Sequence, residues 1–200
     1  MRLRLLRCFL NWCIEREMIA VAPFKIPKVK EPIKKPSFLY PDDFQKILDN
    51  TTSLMQSYFH LYRATGLRRS EMFNFEEIVR SNGTWLMVKG KGNKERVVHI
   101  PDDMKDHWNT IKANPVKAHS ITRAFSRACK GAGLQARLHD LRHTFAFTQV
   151  AIGIDPFTLQ MKMGHSDFKT TQVYLQVDRE MLMDLISNQN KLLDESRVLA

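Results

Sequence analysis

Residues 139–143 read His-Asp-Leu-Arg-His, and helical periodicity places positions 139, 142 and 143 on one face. An arginine and two histidines gathered at one spot imply an anion to balance them. His139 and His143 also have the i, i+4 spacing of zinc ligands on a helix. That metal reading fails on two counts. Arg142 would set a cation beside the metal, and position 140 is Asp where the metalloprotease pattern has its catalytic Glu. One of the two histidines can be a satisfied core residue, and His143 is the candidate, which leaves His139 and Arg142 to face a ligand.

Three further segments carry polar groups suited to an anion. Thr65-Gly66-Leu67-Arg68-Arg69-Ser70-Glu71 sets two arginines after a glycine that can end one helix, with Ser70 and Glu71 opening the next. An arginine there can be held near a helix start, where backbone N–H groups also favour anions. Lys89, Lys91, Lys94 and Arg96 crowd a turn whose two glycines let the backbone bend tightly. The turn lacks the GK[ST] ending and strand-to-helix context of a nucleotide-binding loop. Gly164-His165-Ser166 is followed by Thr170, Thr171 and then Tyr174, nine residues beyond the histidine. Taken singly, each segment is equally explained by solvated basic side chains or by a core tyrosine with its hydroxyl bonded.

Taken in order, TGLRRSE, KGKGNKER, HDLRH, MGHS and Tyr174 resemble the tyrosine recombinase, or phage integrase, family of site-specific recombinases. The likeness runs from about residue 37 to the C-terminus. It implies six active-site positions, Arg68, Lys91, His139, Arg142, His165 and Tyr174, and none is missing. It also implies a fold that is mainly α with a small antiparallel three-stranded β-sheet. The activity implied is cleavage and rejoining of double-stranded DNA through a covalent 3′-phosphotyrosine, with no metal, ATP or other cofactor.

The chemistry asks for these residue types. A phosphodiester resists attack because its non-bridging oxygens are negative and gain charge towards the transition state. Arginine meets that charge with a planar fork that stays protonated near neutral pH, a role for Arg68 and Arg142, with His165 adding a hydrogen bond. Tyrosine has an unperturbed pKa of about 10 and needs help to lose its proton. Neutral His139 is the candidate acceptor, and Lys91 the implied proton donor to the leaving 5′ oxygen. The resemblance also implies a homo-tetramer on DNA, exchange of a C-terminal helix between copies, and accessory proteins that bend the DNA. Two alternatives stand beside it: a DNA-relaxing topoisomerase of the same chemistry, and a relic that only binds DNA.

The elements that must position these groups are legible from pattern. Pro41-Asp42-Asp43 opens a helix with proline and acids in its first turn, and a second helix runs about 53–64. Runs at 75–79, 84–88 and 96–100 are β-rich and divided by Asn82-Gly83 and by Gly90-Lys91-Gly92-Asn93, which predicts an antiparallel sheet. Helices are expected near 101–112, 120–130, 139–152, 156–163, 168–176 and 178–193. Leu182, Ile186 and Leu193 form an apolar stripe on the last, free to dock on its own core or on a neighbour. Arg123, Arg127 and Lys130 line one face of the 120–130 helix, a surface for a DNA backbone or simply for solvent.

The 200 residues carry 31 Lys plus Arg against 21 Asp plus Glu, a net +10 that attracts polyanions. Residues 1–36 hold nine basic and three acidic residues, six charges of that surplus. Within them, Leu5, Leu6, Phe9, Trp12, Cys13 and Ile14 recur at helical spacing, and 21–36 contains four prolines and five lysines, a linker composition. Residues 1–36 are therefore read as the last helix of a preceding DNA-binding domain plus a basic linker, and 37–200 as the catalytic domain. Three cysteines without paired spacing give neither a disulfide framework nor a zinc site. A reducing cytoplasm fits them, and no segment is apolar enough for a bilayer.

Overall fold

A computed structural model describes residues 2–24, 36–90 and 95–175. The chain divides into two compact units, Met1–Lys34 and Lys35–Ala200. In the first, α1 spans Arg2–Glu15, and Phe9 stacks on Trp12 at 6.2 Å while the Arg16 guanidinium lies over the same indole.

The second unit is mainly helical with one small sheet. Helices α2 (Pro41–Asp49) and α3 (Ser53–Thr65) precede β1 (Phe75–Arg80), β2 (Gly83–Lys89) and β3 (Glu95–Ile100). Then come α4 (Lys105–Ala113), α5 (Ala118–Gly131), α6 (Leu138–Ala151), α7 (Pro156–Met163) and α8 (Lys169–Leu175). The strands pair antiparallel in sequence order, with Ile78 opposite Trp85 and Leu86 opposite Val98. The architecture expected from the sequence is the one observed.

Two local differences have simple causes. The helix expected from residue 101 begins with a 3-10 turn at Asp102–Met104, and the α-helix starts only at Lys105. Pro101 fixes the entry angle but has no N–H to give. Ser70-Glu71 does not open a full helix either. Glu71–Phe73 is a single 3-10 turn, because the Glu71 carboxylate is bonded back to the Arg68 amide at 2.7 Å and the chain must enter β1 at Phe75. The 178–193 helix and the 91–94 tip of the hairpin lie outside the described residues.

Burial follows the apolar stripes. Ile47, Phe59, Leu61, Leu86, Ile100, Ile121 and Leu141 lose all contact with solvent in one cluster joining α2, α3, the sheet, α5 and the start of α6, where each large aliphatic contributes roughly 1.5–3 kcal/mol. Phe59 meets Phe125 edge to face at 5.0 Å. A second cluster packs Phe145, Ala146 and Phe147 of α6 on Leu159 and Met163 of α7 and on Tyr174 of α8. The extended segment before α2 is tied to α6 by the Leu39 amide donating to Thr144 Oγ1 at 2.9 Å. These contacts fix α6, α7 and α8 against one another, and the polar groups of interest sit where they meet.

One histidine pair gives the fold a pH dependence. His60 stacks on His107 at 4.6 Å and meets Phe44 edge-on, and His107 Nδ1 bonds Ser57 Oγ at 3.0 Å. Burial first, then His107 and Arg63, push His60 down from 6.5 to about 4, with Asp103 opposing. A histidine depressed on folding binds a proton more readily when unfolded. Its contribution is intact above its unfolded pKa and is lost as pH falls from about 6.5 towards about 4. Urea midpoints should fall over that window, and His60→Leu should flatten the fall; an equally steep fall in the variant would contradict the assignment.

Candidate active site

The site is assembled from four chain segments. Helix α3 ends at Gly66, which adopts the left-handed conformation at φ 63°. A side chain there would collide with Phe145, since a Cβ would lie 2.3 Å from Cδ1 of that ring. The close approach lets the Gly66 carbonyl accept from Arg142 at 2.5 Å and directs Arg68 and Glu71 inward. Strand β3 supplies Arg96, α6 supplies His139, Arg142 and His143, and the α7–α8 region supplies Gly164, His165 and Tyr174.

Glu71 is the hub. Its carboxylate has no solvent exposure and takes Arg68 at 2.7 Å and Arg96 at 2.8 Å, with Arg142 at 4.0 Å. Burial alone would raise this carboxyl, but hydrogen bonds and charge from Arg96 and Arg68 outweigh it and hold it below its ordinary value. Three guanidiniums around one carboxylate leave two positive charges without a protein counter-charge among these four groups. Such a site favours an incoming anion, and still more one that gains negative charge as it reacts.

The same arginines cap the end of α7. The last carbonyls of a helix lack intrahelical partners and carry the negative end of the helix dipole. Here Arg96 donates to the Lys162 carbonyl, Arg142 to that of Met163, and Arg68 to that of Gly164. Gly164 closes the helix in the left-handed conformation at φ 61°, and a Cβ there would lie 2.6 Å from Arg96 Cδ and 3.3 Å from an Arg68 nitrogen. Arg68 and Arg96 therefore each bridge Glu71 and the end of α7, and Arg142 joins the ends of α3 and α7, which fixes their planes.

Among the described residues, Arg142 is one of the largest side chains withdrawn from solvent. Burial, then the charges of Arg68 and Arg96, push it down to about 9 with Glu71 opposing, so it stays protonated at neutral pH. His165 is held by Nδ1 on Thr171 Oγ1 at 2.9 Å and by its carbonyl on Gln160 Nε2. Burial and the three arginines push it down to about 4. Its ring lies parallel to that of Tyr174 at 6.2 Å. A cleft of about 900 Å³ opens beside this cluster, lined by Arg68, Glu71, Arg96, Gly164, His165 and Ser166.

Tyr174 is 2% exposed and packs edge-on against Phe147. Burial raises its phenol, while Arg142 and Arg68 pull it back. Its hydroxyl lies 2.8 Å from His143 Nδ1. His139 meets His143 edge to face at 4.7 Å and is lowered by burial and by Arg142.

Of the six positions named from the sequence, Arg68, Arg142, His165 and Tyr174 therefore converge, His139 adjoins them through His143, and Lys91 lies outside the described residues. His143, read from the sequence as a satisfied core residue, has its ring nitrogen satisfied by the Tyr174 hydroxyl. Sequence reasoning missed Glu71 and Arg96. Their signal was the alternation of charge in RRSE and KER, which reads equally as solvated surface. No cluster of three or more metal-ligating side chains occurs among the described residues.

Comparisons with known proteins bear on the family and the fold. A sequence model described as the phage integrase family matches residues 103–181. Tyrosine recombinase XerD of Rhizobium meliloti is 31% identical over 166 residues, covering 72% of this chain and 53% of that protein. Tyrosine recombinase XerC of Halalkalibacterium halodurans is 29% identical over 220 residues, covering 92% and 72%. The crystal structure of XerH site-specific recombinase, a post-cleavage complex on its difH substrate, superposes with a TM-score of 0.63 at 18% identity, covering 84% of this chain and 58% of that one. The fold is therefore shared, and the chain spans about half the length of the first of these relatives.

Proposed function

Because this chain belongs to the phage integrase family of tyrosine recombinases, we propose that it cleaves and rejoins double-stranded DNA through a covalent 3′-phosphotyrosine on Tyr174. The observation that carries the reading is the convergence of the Tyr174 hydroxyl, His165 and an arginine cluster organised by one buried glutamate.

In this reading a DNA phosphate enters the cleft beside Arg68, Glu71, Arg96 and His165. Arg68 and Arg142 offer the phosphate the guanidinium N–H groups that their carbonyl and carboxylate partners leave free, and His165 adds a third donor. Tyr174 Oη attacks in line, the P–O5′ bond breaks, and the strand ends as a 3′-phosphotyrosine opposite a free 5′-hydroxyl. One phosphoester replaces another, so the link conserves the bond energy and rejoining needs no ATP. His139 stays beside the proton path, and Lys91 is assigned the proton for the leaving oxygen. Site-specific exchange between two duplexes on a homo-tetramer, with the 178–193 segment reaching a neighbouring copy and accessory proteins bending the DNA, completes the proposal. Residues 1–36 act as the end of a DNA-binding domain and a basic linker, ahead of a catalytic domain at 37–200.

The polarity of the covalent end tests this chemistry. After cleavage of a duplex and a detergent quench, the 5′ ends at the breaks should accept phosphate from a kinase without prior phosphatase. The 3′ ends should resist a 3′-to-5′ exonuclease both before and after protein digestion, because the tyrosine stays esterified to the 3′ phosphate. Protein on the 5′ side would contradict the assignment. Partner exchange between two differently labelled duplexes separates a recombinase from an enzyme that only relaxes DNA.

A further inference from the structure

The residue that touches the Tyr174 hydroxyl is His143, which lies outside the six positions set by family likeness. Its Nδ1 is 2.8 Å from Oη, within the range a general base needs in order to take a proton directly. A neutral phenol donates one hydrogen bond, and a neutral imidazole can accept at only one nitrogen. With the ring proton on Nε2, Nδ1 accepts the Oη–H across this contact, and with it on Nδ1 the ring donates to Oη; proton transfer from Tyr174 requires the first tautomer. Among the described residues, no other base is hydrogen-bonded to the phenol hydroxyl. His139 stands one ring further away, edge-on to His143.

The surroundings keep His143 an acceptor at neutral pH. The groups that act on it are His139, Asp140 and Arg142 from α6, Arg137 at the start of that helix, and Tyr174 from α8. Burial first, then His139, Arg137 and Arg142, push it down to about 4, with Asp140 opposing. A phosphate arriving beside Arg142 brings negative charge towards the same ring, which raises its proton affinity as the reaction begins.

We propose that His143 is the immediate acceptor of the Tyr174 proton during strand cleavage, a role that rests on the reaction proposed above. As the Oη–P bond forms and the P–O5′ bond breaks, the phenolic proton passes to Nδ1 of His143. The 5′ oxygen leaves with the electron pair of the broken bond and is protonated by the lysine donor or by water. In rejoining, the 5′-hydroxyl attacks phosphorus and gives its proton back to the lysine or to water, the Oη–P bond breaks with its electron pair on Oη, and His143 returns its proton to Oη. His139 then acts through His143, by setting the charge beside it.

The test compares the parent chain with His143→Gln, His139→Gln and His143→Ala, using single-turnover formation of the protein–DNA adduct and, separately, DNA affinity. His143→Gln keeps a polar group but is not basic, and should slow adduct formation about 100-fold, the lower range for loss of a general base, with DNA affinity unchanged. His139→Gln should cost less. Free imidazole should restore His143→Ala in proportion to its unprotonated fraction, which a purely structural role would not produce. Adduct formation by His143→Gln within about threefold of the parent, set against the 10²–10⁴ range for such a group, would overturn the proposal. So would a folded His143→Ala that imidazole leaves unchanged. A parent that forms no adduct on any DNA contradicts the strand-cleavage reading. The pair is then read by the ¹³Cζ resonance of labelled Tyr174: His143→Ala should move it, and an unmoved resonance removes the proposal.

Discussion

Arg142→Ala is expected to lower the single-turnover rate of covalent attachment by about 10²–10³-fold or more, the loss typical of removing one donor to developing negative charge. The effect should be large because Arg142 holds three things together. It donates to Gly66 at the end of α3 and to Met163 at the end of α7, and it stands 4.0 Å from Glu71. Its charge also draws the Tyr174 phenol down against burial. Arg142→Lys should recover little, since an ammonium cannot span two carbonyls set by a planar fork. DNA affinity should change far less than the rate, because most of the net +10 lies elsewhere in the sequence. Parallel measurement of binding and attachment checks this; equal losses in both would assign Arg142 to binding alone.

Glu71→Ala should be the most destabilising single change at the site. Without the carboxylate, Arg68, Arg96 and Arg142 would face one another with no buried counter-charge. Removing one partner of a buried ion pair typically costs about 3–5 kcal/mol. For a chain of this size each kcal/mol lowers Tm by roughly 2–4 °C, so a fall of about 6–20 °C is expected. Glu71→Gln keeps the volume and one acceptor oxygen and should fall between the variant and the parent. Its rate of attachment should nevertheless drop, because two guanidiniums lose the anchor that sets their planes. A Glu71→Ala chain that melts with the parent would show that solvent or phosphate balances the arginines instead.

Both predictions concern residues whose importance the sequence displays unevenly. Arg142 lies on a helical face with two histidines, and an unexplained cluster of like charge is visible in a one-dimensional string. Glu71 is not visible in that way, since an acid three residues after an arginine describes any solvated helix start. Its role emerges only when Arg96, 25 residues later, folds back across the sheet to meet it. The strands were legible because β-rich runs are punctuated by Asn-Gly and by a glycine-rich turn. The helices were legible because their apolar positions recur with the right period and because Pro41 marks a start; the Asp155 cap and the Gly164 end of α7 appear in the fold. The choice between His139 and His143 was not legible. One turn of helix puts both rings on the same side, and only the placement of α8 decides which of them meets Tyr174.

A tyrosine nucleophile in a site whose cations are arginines is tested most directly by incubating the chain with supercoiled DNA in EDTA, quenching with detergent, and probing the nicks for attached protein, beside Tyr174→Phe. Protein-linked nicks from the parent and none from the phenylalanine variant are the predicted result. Attachment that survives Tyr174→Phe, or that EDTA abolishes, would contradict it.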